Sequence, residues 1–159
     1  MVKSIELTQG KYTIVNDEDY KHLVKYKWYA RKDGNTYYAV RKQTDGSKQK
    51  NVYMHRVIMN APKGSKVDHI NNDGLDNRKE NLRICNHSEN MRNSRIPKNN
   101  TSGFKGVVWN KRTKKWKAKI RVNNKEIHIG SFLSKIEAAY AYDKKAHELH
   151  GEFANVNFQ

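Results

Sequence analysis

The sequence has little of what secreted and membrane proteins rely on. Its 159 residues include one cysteine. Cys85 alone excludes an intramolecular disulfide, and no Cys-x-x-Cys pair is present to build a zinc ribbon. No apolar run approaches the length needed to cross a bilayer, and no amphipathic basic helix suits a membrane surface. No charged-then-apolar stretch at the N-terminus looks like a signal peptide. The expectation is a soluble protein of a reducing compartment, without a membrane partner. Acidic residues are scarce as well: 16 Asp and Glu face 32 Lys and Arg, a net charge of +16. Such an excess calls for a polyanionic partner, and nucleic acid is the default. Apolar residues make up 36% of the chain, so any core is small, and stability is expected from compact sheets with helices laid against them.

Residues 1–60 read as β-rich. Glu6–Val15 alternates around the turn pair Gln9-Gly10. Asn16-Asp17-Glu18-Asp19 is placed to cap a short helix over Tyr20–Lys25, because acidic side chains accept the free amide hydrogens of a first turn. Lys27–Ala30 and Thr36–Arg41 read as strands joined by Lys32-Asp33-Gly34-Asn35. Val52–Met59 is apolar enough for a helix or a strand, and Pro62-Lys63-Gly64 ends it. Val67-Asp68-His69-Ile70 then reads as a strand, Asn71–Glu80 as a loop crowded with Asn, Asp and Gly, and Leu82-Arg83-Ile84-Cys85 as a second strand. Asn86 with Glu89 three residues on is a capping box that opens a helix to about Ser94. Residues 96–103 have the composition of a linker. Beyond it, Phe104–Trp109, Lys115–Val122 and Lys125–Gly130 form an antiparallel meander with turns at Asn110–Lys114 and Asn123-Asn124. Ser134-x-x-Glu137 caps a helix ending near Gly151, with Ile136, Ala139, Tyr140, Ala146 and Leu149 as its apolar stripe.

Asp68-His69, followed by Asn81-Leu82 and then Asn90, inside a strand–loop–strand–helix and preceded by Met54-His55-Arg56, resembles the HNH nuclease motif. It is similar in particular to the His-Asn-Asn variant of phage and intron-encoded homing endonucleases. The resemblance covers most of residues 1–95. It implies a ββα-metal module in which His69 is the general base, Asp68 and Asn90 hold one Mg²⁺ or Mn²⁺ ion, and Asn81 bonds across the loop to fix the His69 strand. These residue types suit phosphodiester hydrolysis. Imidazole takes a proton near neutral pH, and hard oxygens bind a hard cation that stabilises charge on phosphate. In an ideal strand Asp68 and His69 point to opposite faces, and the sequence leaves open how both serve one phosphate. His87 is an alternative ligand to Asn90. Arg56 is a candidate phosphate contact, His55 a packing residue and Cys85 a small buried one. A zinc site from His55, His69, Cys85 and His87 matches no common spacing.

Residues 91–121 hold 11 Lys/Arg and no Asp or Glu. The run from Ser102 to Arg121, then Ile127–Phe132 and the segment Glu137–Phe158 resemble the plant ethylene-response-factor (Apetala-type) DNA-binding domain over about residues 102–158. In that family the sheet enters the major groove, which makes Lys105, Trp109, Lys117, Lys119 and Arg121 candidate DNA contacts. The family's strand-one arginines stand here as Lys105 and Val108, and its strand-two acid as Lys119. Since Arg reads guanine better than Lys does, backbone anchoring is expected to dominate. Val107, Ala118 and Ile120 are the expected core of this domain.

The sequence thus predicts an α+β chain. Residues 1–95 hold a β-rich segment and the nuclease core (about 52–95), 96–103 are a linker, and 104–159 form a three-stranded sheet packed on one helix. The predicted function is a metal-dependent, site-directed endonuclease of a phage or intron, acting on double-stranded DNA as a monomer, without a small-molecule cofactor, in the cytoplasm of a bacterial host or phage-infected cell. The rivals are a non-catalytic DNA-binding regulator that retains the scaffold and an RNA-binding basic protein.

Overall fold

A computed structural model describes residues 1–93, 96–97, 99–123 and 125–158. The chain divides into two compact units, Met1–Asn90 and Met91–Gln159. The expected helix end at Ser94, the boundary at Arg95 and part of the Asn123-Asn124 turn lie outside the described residues.

The first unit opens with β1 (Val2–Glu6) and β2 (Tyr12–Asn16), paired antiparallel with Ile5 opposite Thr13. The turn between them places Gln9 and Gly10 at φ 65° and 62°, the left-handed pair that matches strand twist. Helix α1 spans Asp17–Leu23, three residues earlier than expected. Asn16 precedes it but makes no side-chain cap. Its Oδ1 instead accepts from Lys79 N at 2.7 Å and its Nδ2 donates to Glu80 Oε2 at 3.1 Å. The three acids of the first turn still face the positive end of the helix dipole. At the other end, the Leu23 carbonyl accepts from Trp28 Nε1 at 2.8 Å and from Tyr26 N at 3.2 Å.

A three-stranded antiparallel sheet follows: β3 (Tyr29–Asp33), β4 (Thr36–Asp45) and β5 (Lys48–Tyr53), in that spatial order. The sequence reading missed β5 and the far half of β4. Their tips are solvent-exposed on both faces, so no apolar alternation marks them. Val52–Met59 divides between β5 and helix α2 (Met54–Ile58). Ile5, Leu7, Val15, Leu23, Trp28, Ala30, Ala39 and Met54 make one core under these elements. The unit closes with strands β6 (Lys66–His69) and β7 (Leu82–Cys85), then helix α3 (His87–Arg92). The capping box forms as read: Asn86 N donates to Glu89 Oε2 at 2.8 Å, and Glu89 N to Asn86 Oδ1 at 2.9 Å.

In the second unit β8 (Val107–Asn110), β9 (Lys115–Val122) and β10 (Lys125–Phe132) form an antiparallel sheet with β9 in the centre, and helix α4 (Lys135–His150) packs on it. Val107, Ala118, Ala138 and Ala139 form one core cluster, and Ile120, Tyr142 and Ala146 a second. The buried stripe of α4 is rotated from the expected one. Ile136 and Tyr140 are exposed, whereas Ala138, Tyr142 and Asp143 are buried. Gly106 explains the close packing: at φ 74°, a Cβ there would run into the Tyr142 ring. Asp143 accepts from the backbone N of Asn157 (2.9 Å) and Phe158 (2.9 Å), tying the end of the chain to the helix. The stretch read as a linker is in part folded into this unit. The buried Ser102 hydroxyl donates to Val107 O at 2.8 Å, and Asn100 Nδ2 to Phe104 O at 2.8 Å.

Candidate active site

Strands β6 and β7 pair with Asp68 opposite Arg83 and His69 opposite Leu82. Alternation therefore sends Asp68 to the Arg83 face and His69 to the other. Both are buried. The Asp68 carboxylate accepts from Arg83 Nε at 2.9 Å and Nη2 at 2.7 Å, both on Oδ2. Such a paired contact with a guanidinium fixes the orientation of the carboxylate.

His69 sits in an aromatic nest. Its ring lies 5.1 Å from the His55 ring and 5.7 Å from the Tyr38 ring. Burial lowers its pKa below 6.5, against opposing contributions from the Asn77 hydrogen bond and the Asp68, Asp73 and Asp76 carboxylates. The result is an imidazole that is neutral, and so able to accept a proton, at pH 7. Its Nε2 lies 3.1 Å from Asn77 Oδ1.

The Asn- and Asp-rich loop between the strands is a bonded lattice, not a flexible connection. Asn81 Oδ1 accepts from Asn71 N (3.0 Å), and its Nδ2 donates to Asn71 Oδ1 (3.0 Å) and Asp76 O (2.8 Å). Asp76 also receives Asn71 Nδ2 (2.8 Å) and Arg78 Nε and Nη2 (2.8 and 2.7 Å). Arg78 beside it holds the Asp76 carboxyl below the ordinary range. Gly74 lets the loop lie against β4. A Cβ there would sit 2.8 Å from the Tyr38 ring and collide with the Tyr37 carbonyl.

The structure redistributes the expected site residues. Asn81 bonds across the loop, and its carbonyl accepts from Ile70 N at 2.9 Å, but the residue that touches the His69 ring is Asn77. Asn90 is half-buried on α3, and His87 is exposed. The Arg56 guanidinium donates to Ser65 O (2.6 Å), Ala61 O (3.2 Å) and Pro62 O (2.9 Å). His55 is buried with Nδ1 lacking a hydrogen-bond partner, and burial drives its pKa down to about 3. Cys85 is a buried strand residue whose thiol burial pushes up. Asn77, Thr13 and Arg83 were missed. The one sequence clue was a threonine, Thr13, on the core-facing parity of β2 beside Val15.

In the second unit Lys117, Lys119 and Arg121 share the strand face opposite Ala118 and Ile120, where Lys119 Nζ pairs with Glu126 at 2.7 Å. The half-buried Lys105 donates from Nζ to Arg92 O at 2.7 Å, and burial lowers its pKa to about 8. The Trp109 ring lies 4.9 Å from the Trp116 ring at an interplanar angle of 59°, and Trp109 has the parity of Val107, the helix side, although it stays exposed.

The strand–loop–strand–helix that carries Asp68 and His69 lies within the residues matched by the comparisons with known proteins. The HNH endonuclease family model matches residues 52–92. An HNH endonuclease of Acanthamoeba polyphaga mimivirus, itself uncharacterized, is 30% identical over 151 residues, covering 94% of this chain and 76% of the relative. The chain belongs to the HNH endonuclease family. Protein 3.8 of Escherichia phage T7 is 37% identical over 93 residues, 58% of this chain and 76% of its own length. Dehydration-responsive element-binding protein 2A of rice is 42% identical over 67 residues, 39% of this chain but 23% of the plant protein. No solved structure matches the chain. Among the described residues no helix is long and apolar enough to cross a membrane.

Proposed function

We propose that this HNH protein is a site-directed DNA endonuclease of a phage or intron, a homing enzyme that hydrolyses phosphodiester bonds with one divalent metal ion. The observation that carries the reading is His69, buried, neutral at pH 7 and held at Nε2 by Asn77. A base so held can take the proton of an attacking water without first losing one of its own.

Asp68 and Asn90 offer a carboxylate and a carboxamide oxygen, a donor set suited to Mg²⁺ or Mn²⁺ with water and phosphate as remaining ligands. Among the described residues no group of three His, Cys, Asp or Glu could hold a metal. Arg83 orients the Asp68 side chain through Oδ2, and the oxygen donors fit a hard divalent cation. When bound there, the ion would supply charge stabilisation at the phosphate and the leaving oxygen. Asn81 keeps the loop closed behind His69. In the second unit, which is similar to Apetala-type domains, Lys117, Lys119 and Arg121 would bind backbone phosphates of double-stranded DNA. Joining the two units raises the effective concentration of the site at its target. A monomer with one site nicks.

The second reading, a DNA-binding regulator that keeps the scaffold, draws on Arg83, whose Nε and Nη2 both donate to Asp68 Oδ2 and would compete with a metal for that oxygen. Supercoiled plasmid carrying phage-like target DNA, incubated with Mg²⁺ or Mn²⁺, with chelator, and beside His69→Ala, separates the two. Metal-dependent nicked or linear product that disappears in His69→Ala is expected. Tight DNA binding with no cleavage in either metal would move the assignment to the regulator.

A further inference from the structure

A single buried file of hydrogen bonds runs from the N-terminal hairpin to His69. Thr13 is fully buried, and its Oγ1 donates to Leu75 O at 2.7 Å. A hydroxyl has one proton, so toward any other group Thr13 can only accept. Asn77 is fully buried as well, and its Nδ2 donates to Thr13 Oγ1 at 2.8 Å. With the amide nitrogen committed, the atom that faces His69 is Oδ1, an acceptor only, 3.1 Å from Nε2. An acceptor at that distance requires the imidazole proton on Nε2. The backbone holds the file in register: Ile14 N donates to Leu75 O at 3.0 Å and Asn77 N to Ile14 O at 2.9 Å.

We infer that Thr13 and Asn77 are positioning residues for His69, so that the β1–β2 hairpin fixes which imidazole nitrogen carries the proton and makes Nδ1 the basic one. The inference rests on His69 being the base. In the step it serves, Nδ1 takes a proton from water as the water oxygen bonds to phosphorus. The phosphorus–ester oxygen bond breaks, and the leaving oxygen gains a proton from solvent. Asn77 Oδ1 accepts from Nε2–H before and after, so no group in the file must turn during the reaction. The hairpin is thereby a working part of the nuclease unit.

The test is nitrogen NMR of the full chain labelled with ¹⁵N-histidine, read beside plasmid cleavage. Wild-type His69 is expected in the Nε2–H form. Thr13→Val removes the acceptor at nearly equal volume and lets the Asn77 amide turn. Its His69 should become a mixture of tautomers. Its kcat should fall roughly 10- to 100-fold, the range for losing the partner that orients a functional histidine, with KM within about twofold of wild type. Thr13→Ser should restore both. A wild-type His69 protonated on Nδ1 overturns the inference without any variant, as does a Thr13→Val protein that keeps both tautomer and kcat. A wild-type chain that cuts no DNA, yet shows the Nε2–H form in a Thr13-dependent way, refutes the nuclease reading and leaves the positioning intact.

Discussion

His55 makes the stability of the first unit sensitive to acid. Its ring is 8% exposed, packed against His69, Tyr38 and Tyr53, with Nδ1 unpartnered. Burial first, then the positive charges of protonated His69 and Arg56, lowers its pKa from 6.5 to about 3. In the unfolded chain the same imidazole titrates near 6.5. Between those values the unfolded state binds more protons than the folded state, so stability falls as pH falls. It is fully present above 6.5 and lost progressively down to about 3. The full displacement corresponds to about 5 kcal/mol, of which roughly 2 kcal/mol is lost between pH 7 and pH 5. His69 adds a loss of the same sign, so the His55 share is a difference between proteins. Urea unfolding at pH 7 and pH 5 is the assay, on wild type and on His55→Phe, which keeps an aromatic ring in the nest and has no imidazole to protonate. The variant should lose about 2 kcal/mol less than wild type over that interval. Equal losses in the two proteins, or a His55 resonance that titrates near 6.5 in the folded state, would refute the argument.

Other perturbations address other parts of the molecule. Gly74→Ala forces a Cβ into the Tyr37 carbonyl and the Tyr38 ring, so it should cost about 1–3 kcal/mol in thermal or urea unfolding and displace the loop behind His69. Asp143→Ala strips the acceptor from the Asn157 and Phe158 amides. It should destabilise the second unit by roughly 2–4 kcal/mol, read as a lower unfolding midpoint of that unit. Lys117→Ala and Arg121→Ala should each weaken duplex binding and reduce the slope of log affinity against log salt by about one. Lys105→Ala and Arg56→Ala should leave that slope unchanged, because their charged groups are held by backbone carbonyls.

Much of the site was legible along the chain because it is local. Asp68, His69, Asn81 and Asn90 lie within 23 consecutive residues, and the pattern strand–loop–strand–helix follows from short apolar runs around an Asn-rich turn and from a capping box at Asn86. The meander and helix of the second unit were legible for the same reason. What the sequence could not decide were the contacts that join distant segments. Asn16 looks like a helix cap until the fold brings Lys79 and Glu80 beside it. The backbone carbonyls that receive the Arg56 and Lys105 side chains come from the fold, and the alanine stripe of α4 could not be oriented before the sheet it covers was in place.

The sequence by itself determined the charge, the family motif and the order of elements, since each depends on residue type and spacing over a turn or two. Tertiary structure decided which nitrogen of His69 faces an acceptor. That choice depends on Thr13, 56 positions away in the chain, on Asn77, and on the full burial of both.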